Sequence, residues 1–146
     1  MAEAKMTILT NMCMVRNGEK LLMQIRNDKN WGGAVFPGGH VEDGESITAS
    51  VIREVWEETG LTVVSPKLCG IKDFYTGEGY RYVVFLYYAD RFEGEIRSSD
   101  EGEVMWVDEN ELDRLETVRG FDELYCMYCD TDSTELWYHD GGFDII

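Results

Sequence analysis

The segment from Ser46 to Gly60 constrains the fold of this chain most, because it carries the clearest helical pattern in the sequence. Ser46 can cap the start of a helix, and Gly60 can adopt the left-handed conformation just past its end. With roughly 100° between successive residues, the apolar side chains of this segment fall on one side, and they are Val51, Ile52 and Val55. We therefore predict an amphipathic helix over Ser46–Thr59 that packs its apolar side against a neighbouring layer.

Three glutamates share another side of this predicted helix, at positions i, i+3 and i+4: Glu54, Glu57 and Glu58. Like charges at these spacings destabilise a helix by roughly 0.2–0.5 kcal/mol per pair. They also lie in the C-terminal half, where the helix dipole disfavours anions. A divalent cation removes this conflict, and ligands that are all oxygen suit Mg²⁺ or Mn²⁺. A solvated acidic face is the alternative for these three residues alone.

Short apolar runs on both sides of the helix predict strands. They cover residues 8–15, 21–25, 61–64, 69–75, 80–89, 104–107 and 136–139. Asn17-Gly18 predicts a hairpin turn, 27–34 a loop, and Phe36-Pro37-Gly38-Gly39 a corner whose glycines take positive φ or allow close approach. We also predict short helices over 108–115, capped by Asp108, and over 121–129. Many strands around few helices indicate an α+β fold with a mixed sheet.

Length, net charge and the N-terminal residues limit what kind of protein this chain can be. A length of 146 residues suits one domain, 1–146. The net charge of −16 disfavours a nucleic-acid polymer or an anionic membrane as partner. The N-terminal residues lack the pattern of a signal peptide, so we expect a cytoplasmic protein with reduced cysteines. Nothing in the sequence indicates an oligomeric state.

Cys126 and Cys129 form a CxxC pair, the spacing found in zinc and redox sites. The sequence has no second such pair and only two histidines, His40 and His139. We therefore expect both cysteines to pack in the core beneath the second helix.

The residues around the first helix resemble the signature of the Nudix hydrolase family, GX5EX7REUXEEXGU with U apolar. Gly39 is followed after five residues by Glu45 and after seven more by the run from Arg53 to Leu61. The box 39–61 meets every fixed position of the pattern. The resemblance implies an α/β/α sandwich around a central mixed sheet, with the box as a loop–helix–loop.

The resemblance also implies roles for individual residues. Mg²⁺, or Mn²⁺ in its place, would be held by Glu54, Glu57, Glu58 and the carbonyl of Gly38. Arg53 and Glu45 would pair and fix the loop on the helix.

A further carboxylate is expected from outside the box. Glu101 precedes the strand that contains Trp106, as a carboxylate does in relatives, and is our candidate for an additional metal ligand or general base. Glu103 is its neighbouring competitor. The base that takes the proton of the attacking water would be Glu57 or Glu101, and the family leaves the choice open.

The sequence constrains the substrate less than it constrains the metal ligands. The organisation resembles the MutT-like 8-oxo-dGTP diphosphatases, which implies a nucleoside triphosphate cut to monophosphate and pyrophosphate. In those relatives an Asn on the first strand and a carboxylate on a later helix face the purine, and here Asn11 and Asp122 match. Trp31, with Tyr75 and Tyr80 as further aromatic candidates, is placed to stack on a base. Alternatives are a Nudix hydrolase of nucleotide sugars or dinucleoside polyphosphates, and a non-catalytic nucleotide-binding module.

Overall fold

The computed structural model describes residues 2–146, which form a mixed sheet with helices on both faces. The strands within this range, in chain order, are β1 (Thr7–Asn17), β2 (Lys20–Arg26), β3 (Gly33–Val35), β4 (Gly38–His40), β5 (Thr62–Val63), β6 (Lys67–Tyr75), β7 (Arg81–Ala89), β8 (Phe92–Glu93), β9 (Gly102–Asp108), β10 (Glu135–His139) and β11 (Gly142–Ile145). The helices are α1 (Ile47–Thr59), a 3-10 helix (Glu109–Arg114) and α2 (Phe121–Cys129). This is the mixed α+β sandwich that the sequence predicts.

Strand β1 organises the sheet. It runs parallel to β7 along most of its length, and its other edge is shared by two antiparallel partners. Residues 10–12 pair with β4, whereas the C-terminal end pairs with β2 at Arg16 and Asn17. The sheet therefore divides along β1, and the glycines of β4 lie at the division.

The two faces of the sheet carry separate cores. Met12 and Met14 of β1 pack on the side of α2, while the alternating residues Cys13 and Val15 pack on the side of α1. This period of two is the geometry of a strand buried on both faces. Val51 and Val55 of α1 are fully buried. Each such side chain contributes about 1.5–3 kcal/mol of hydrophobic stabilisation.

The ends of α1 are fixed by local sequence. The side chain of Ser46 accepts a hydrogen bond from the backbone N–H of Ala49 at 3.0 Å. Gly60 has φ of 84°, and its N–H donates to the carbonyl of Trp56 at 2.9 Å. The predicted helix and its two capping residues are confirmed.

Turns and edges differ from the sequence-based expectation. Asn17 pairs with Lys20, so the hairpin turn is Gly18-Glu19 rather than Asn17-Gly18. The segment 136–139 is a strand as predicted, but β11 follows it. The sequence Gly142-Phe143-Asp144-Ile145 lacks the β-branched run that marks a strand, and backbone pairing with β10 creates it.

The expectation for the two cysteines of α2 is wrong. Helix α2 buries Phe121, Leu124, Met127 and Tyr128, whereas Cys126 and Cys129 are exposed and free. The helical period places the core residues on one side, and the CxxC pair lies outside that stripe.

None of the helices within residues 2–146 is long and apolar enough to cross a membrane.

Candidate active site

A cavity of about 600 Å³ opens where the sheet divides beside β1. Carboxylates, cations, aromatic rings and the backbone of β4 all line it. Its lining includes Asn11, Glu42, Glu54, Glu58, Glu101, Arg26, Lys72, Trp31, Phe74, Tyr82, Gly38 and Gly39. The cavity therefore brings together residues that are up to 91 positions apart in the sequence, from Thr10 to Glu101.

Glu58 is the most buried acidic group of this cavity, with 2% of its surface exposed. Its Oε2 accepts a hydrogen bond from the backbone N–H of Gly38 at 3.0 Å. Burial and the neighbouring carboxyl of Glu101, with which it can share a proton, raise the pKa of Glu58 to about 9. A buried carboxyl group of α1 thus lies beside an exposed one from the loop before β9.

Glu54 approaches the backbone of β4 from the same side of α1. A Cβ on Gly39 would lie 2.4 Å from the carboxyl carbon of Glu54. Desolvation raises the pKa of Glu54, against the opposing effect of Arg53. Gly38 and Gly39 are absent from the positive-φ residues, so of the two explanations for this glycine pair, close approach is confirmed.

Arg53 connects the loop before α1 with the helix itself. Its Nε and Nη2 donate to the carboxylate of Glu45 at 3.0 and 2.7 Å, a two-point contact. Nη2 also donates to the carbonyl of His40 at 2.9 Å. Nη1 donates to Glu54 at 2.8 Å, and to Glu57 at 3.2 Å. A single guanidinium therefore positions the carboxylates of α1 relative to β4.

Glu57 lies at the rim rather than inside the cavity. Its side chain is about half exposed, and its carboxylate accepts a hydrogen bond from Arg53. The acidic side chains that line the cavity are Glu42, Glu54, Glu58 and Glu101. Glu103, the competitor of Glu101, is exposed on β9 and does not line the cavity.

The chemistry of these side chains fits a hard divalent cation, since they offer oxygen atoms alone and several carboxyl groups border one cavity. Within residues 2–146, no three acidic, histidine or cysteine side chains converge at ligand distances. Arg53 holds Glu54, and the Gly38 N–H holds Glu58, so a cation would compete with these donors.

Asn11 lines the cavity, but its amide bonds to the scaffold. Its Nδ2 donates to the hydroxyl of Ser50 at 2.8 Å, and its Oδ1 accepts from the N–H of Gly39 at 3.3 Å. Only 3% of Asn11 is exposed. The residue joins β1, β4 and α1, and both ends of its amide are engaged without a ligand.

Asp122, expected from the sequence to face the substrate, is exposed and lines neither this cavity nor its neighbour. It does not cap α2 either, since Gly120 holds that position. The next residue along, Glu123, lines the neighbouring cavity and accepts a hydrogen bond from the Tyr138 hydroxyl at 3.0 Å. Asp122 and Glu123 are about 100° apart around the helix, and Glu123 is the one that lines a cavity, so the role of Asp122 in substrate binding stays a prediction.

Trp31 lies in the cavity wall, where the guanidinium of Arg26 stacks over its ring at 5.0 Å. Tyr75 lines only the neighbouring cavity, and Tyr80 lines neither. Sequence reasoning missed Arg26 and Lys72. Each is a single basic residue in a strand, and the sequence alone does not show to which face of the sheet such a side chain points.

Comparisons with known proteins found similar sequences and similar folds. A family model described as the NUDIX domain matches residues 6–127. The uncharacterized Nudix hydrolase YvcI of Bacillus subtilis is 34% identical over 113 residues, which are 74% of this chain and 70% of that protein. An oxidized purine nucleoside triphosphate hydrolase of Danio rerio is 36% identical over 102 residues, 69% of this chain and 65% of that protein. The crystal structure of a MutT protein from Bacillus halodurans covers 95% of this chain and 94% of its own, with a TM-score of 0.75 and 28% identity.

Proposed function

The chain belongs to the Nudix hydrolase family, and from that premise we propose that it is a magnesium-dependent enzyme that cleaves a nucleoside triphosphate to the monophosphate and pyrophosphate. One observation carries the proposal. Glu54, Glu58 and Glu101 share a cavity with the backbone of Gly38 and Gly39, although they come from different parts of the chain. Stability alone would not select mutually repelling acids around a poorly hydrated space.

The residues proposed to hold Mg²⁺ are Glu54, Glu58 and Glu101, with the Gly38 carbonyl beside them and Glu57 at the rim. When bound, the cation neutralises charge on the phosphate oxygens and makes water a stronger nucleophile. Mn²⁺ has the same preference for oxygen ligands and is the proposed substitute.

Arg53 and Glu45 are proposed to act as positioning residues. The two-point contact between them holds the loop that carries His40, while Arg53 restrains Glu54 and Glu57. A small displacement of catalytic groups lowers rates strongly. Arg53 therefore matters for the reaction through the carboxylates it holds.

Between the two carboxylates considered as general base, we assign the proton transfer to Glu101. Glu101 lines the cavity, whereas Glu57 lies outside it and is engaged by Arg53. The base accepts a proton from the water that attacks phosphorus, and general base catalysis is worth about 10²–10⁴-fold.

The proposed substrate class is an oxidised purine nucleotide such as 8-oxo-dGTP. The Danio rerio relative, by its name, hydrolyses oxidised purine nucleoside triphosphates. The aromatic rings of Trp31, Phe74 and Tyr82 line the same cavity and are suited to contact a planar base. We propose no nucleic-acid polymer as substrate, because the net charge is −16.

The test is a panel of 8-oxo-dGTP, dGTP, GTP, ATP, ADP-ribose and a dinucleoside polyphosphate, each with Mg²⁺, Mn²⁺ or EDTA. We expect triphosphates to give monophosphate and pyrophosphate, with no turnover in EDTA. Release of single phosphate, or a preference for ADP-ribose, would contradict the proposed reaction.

Variants then test the residue assignments. Glu58→Gln and Glu101→Gln should each lower kcat by about 10²-fold or more. Glu103→Gln carries the same charge change outside the cavity and distinguishes the two neighbouring acids. If Glu103→Gln lost activity while Glu101→Gln kept it, the assignment of Glu101 would be wrong.

A further inference from the structure

The loop 94–101 connects β8 to β9 and carries Glu101 to the cavity that the acids line. Both of its ends are fixed by neighbouring backbone. At its start, β8 pairs with β5, the strand that follows α1. At its end, Gly102 lies so close to β2 that a Cβ there would collide with the carbonyl of Ile25. Glu101 is the last residue between these two anchors.

Arg97 joins the middle of this loop to the C-terminal end of α1. Its backbone N–H donates to the carbonyl of Thr59 at 2.8 Å, and its Nη2 donates to the carbonyl of Trp56 at 3.2 Å. Its guanidinium group also lies over the Trp56 ring, 5.2 Å from the ring centroid. One residue of the loop thus makes three contacts with the last turn of the helix.

The end of α1 gains a positive charge from this contact. The last four carbonyls of a helix have no partner within it, and the helix dipole favours a cation at this end. The last turn of α1 contains no basic residue and instead carries Glu57 and Glu58. Arg97 therefore supplies, from another part of the chain, the donors and the charge that the helix does not provide for itself.

The surface of α1 beneath the loop is shaped for a close approach. A Cβ on Gly60 would lie 2.7 Å from Cγ of Arg97 and 2.9 Å from the carbonyl oxygen of Glu95, so a side chain there would push the loop away. Trp56 occupies a position that the box leaves free, and 52% of its surface is exposed, so the core does not require an aromatic ring here. Its ring serves instead as the platform for the guanidinium group of Arg97.

A short hydrogen-bonded turn connects Arg97 to Glu101. Ser99 and Gly102 exchange two backbone hydrogen bonds, each of 3.2 Å. The N–H of Glu101 donates to the hydroxyl oxygen of Ser99 at 3.3 Å. Only Ser98 separates this turn from Arg97, so a displacement of Arg97 would move the turn and the carboxylate that it carries.

We propose that Arg97 is a positioning residue of this enzyme, which holds the loop 94–101 on the end of α1 and thereby keeps Glu101 at the cavity. The proposal rests on the function proposed above, because Arg97 affects the reaction through the general base assigned there. Among the described residues 2–146, Arg97 is exposed and belongs to the lining of neither cavity. Its effect is therefore on the loop and not on the substrate.

Steady-state kinetics test the effect on the reaction. Arg97→Met keeps an unbranched side chain but removes the guanidinium group, so kcat should fall about tenfold while KM stays within about twofold. Arg97→Lys keeps a cation over the Trp56 ring and should restore kcat to within about threefold of the wild type. Trp56→Leu removes the ring alone and should lower kcat by about threefold.

A double variant separates positioning of Glu101 from general support of the fold. If Arg97 acts through Glu101, its loss has little effect once the carboxylate is gone. In the Glu101→Gln background, Arg97→Met should therefore lower kcat by less than about twofold, against about tenfold in the wild-type background. A tenfold loss in both backgrounds would overturn the proposal, because Arg97 would then act independently of Glu101.

Amide hydrogen exchange measures the contact of the loop with α1 without any substrate. Arg97→Met should exchange faster than the wild type in residues 97–102, while the buried part of α1 around Val51 and Val55 keeps its protection. Arg91→Met is the matched control, since Arg91 is an exposed arginine just before β8 and lines neither cavity formed by the described residues. It should equal the wild type in kcat and in exchange.

The outcomes separate this proposal from the proposed function. Unchanged kcat in Arg97→Met, or a raised KM with unchanged kcat as expected for a substrate contact, overturns the positioning role and leaves the hydrolase standing. Unchanged exchange in residues 97–102 overturns it as well. Faster exchange in Arg97→Met, combined with no turnover of any triphosphate by the wild type, supports the attachment of the loop to α1 and rejects the reaction.

Discussion

The Oε2 atom of Glu58 lies 3.0 Å from the backbone nitrogen of Gly38, twenty positions earlier in the chain. This hydrogen bond ties the C-terminal half of α1 to the strand that borders the cavity. It also leaves the carboxyl beside Glu101 and nearly out of contact with solvent. A folded chain keeps an acid in such a place at a cost to stability, which a bound cation would offset.

Glu58→Gln should therefore separate stability from activity. The amide still accepts from Gly38 and is neutral without taking up a proton, whereas Glu58, with its pKa raised to about 9, must be protonated in the folded state at neutral pH. In EDTA at neutral pH we therefore expect the Tm of the variant to exceed that of the wild type by about 2–4 °C, the shift that about 1 kcal/mol gives in a domain of this size. Mg²⁺ should raise the Tm of the wild type, by about 2.7 kcal/mol of stability at a concentration of 100 Kd, and leave the variant unchanged. A lower Tm of Glu58→Gln in EDTA would show that burial of this carboxyl group does not destabilise the fold.

Gly39→Ala should damage the site more than the fold. The new Cβ would lie 2.4 Å from the Glu54 carboxyl carbon, and the far end of that flexible side chain can move away. We expect kcat to fall by about 10²-fold, with a small change in Tm.

Gly38→Ala and Gly77→Ala complete that comparison. At Gly38 the Cβ would lie 2.2 Å from the backbone oxygen of Asn11, so this variant should lose folded structure by circular dichroism. Gly77 has open space around it, and its variant should behave as the wild type. Full activity in Gly39→Ala would mean that the position of Glu54 is irrelevant.

The sequence predicts α1 and its surroundings well because local physics decides them. Ser46 and Gly60 cap the helix within a few residues of its ends, and the buried pair Val51 and Val55 follows its period. The exposure of Cys126 shows the limit. Its stretch is apolar throughout, and only packing against the sheet selects Leu124 and Met127 as the buried side.

The sequence predicts the cavity residues that lie in the box 39–61, but not those that other strands contribute. The spacing of Glu54 and Glu58 is encoded in one helix. Lys72 enters the cavity only because β6 pairs with β7 in a register that turns this residue toward α2. Asp122 and Glu123 are neighbours on α2, and only Glu123 lines a cavity. A helix boundary inferred from sequence is uncertain by one or two residues, so the sequence could not show which of the two faces inward.

Arg53→Lys should lower activity although the charge is kept. A lysine has one compact ammonium, which cannot span Glu45, the His40 carbonyl and the acids of α1 as a guanidinium does. We expect kcat to fall by about 10²-fold and the loop 41–46 to become more sensitive to limited proteolysis. Lys20→Arg, an exposed exchange of the same pair of residue types, serves as the control. Unchanged kcat in Arg53→Lys would mean that charge alone is needed.

The contact between Arg16 and Glu109 predicts a dependence of stability on pH. Arg16 donates to Glu109 at 2.8 Å, the Tyr125 hydroxyl also donates to it, and both lower the pKa of Glu109 to about 2. A lowered pKa means that the ionised carboxylate stabilises the folded state above its ordinary pKa of 4.5, and that this stabilisation is lost as the pH falls toward 2.

The difference in Tm between the wild type and Glu109→Gln measures this effect. It should be constant above pH ~5.5 and shrink between pH ~4.5 and ~2. Its size should be small, because the pair is partly exposed and screened by solvent. A difference that widens on acidification would reverse the sign and reject the assignment.

Asn11→Ala distinguishes a structural role from recognition of the base. The variant removes the partner of Ser50 and an acceptor of the Gly39 N–H, both in a buried place. A lost buried hydrogen bond costs about 1–3 kcal/mol, so Tm should fall by several degrees. Because β4 then loses its support, kcat/KM should fall equally for GTP and ATP.

Ser50→Ala removes one of the same contacts from the other side, so the double variant should be less destabilised than the sum of the two single variants. A change in the ratio of GTP to ATP in Asn11→Ala, without a loss of Tm, would instead assign the Asn11 amide to the base.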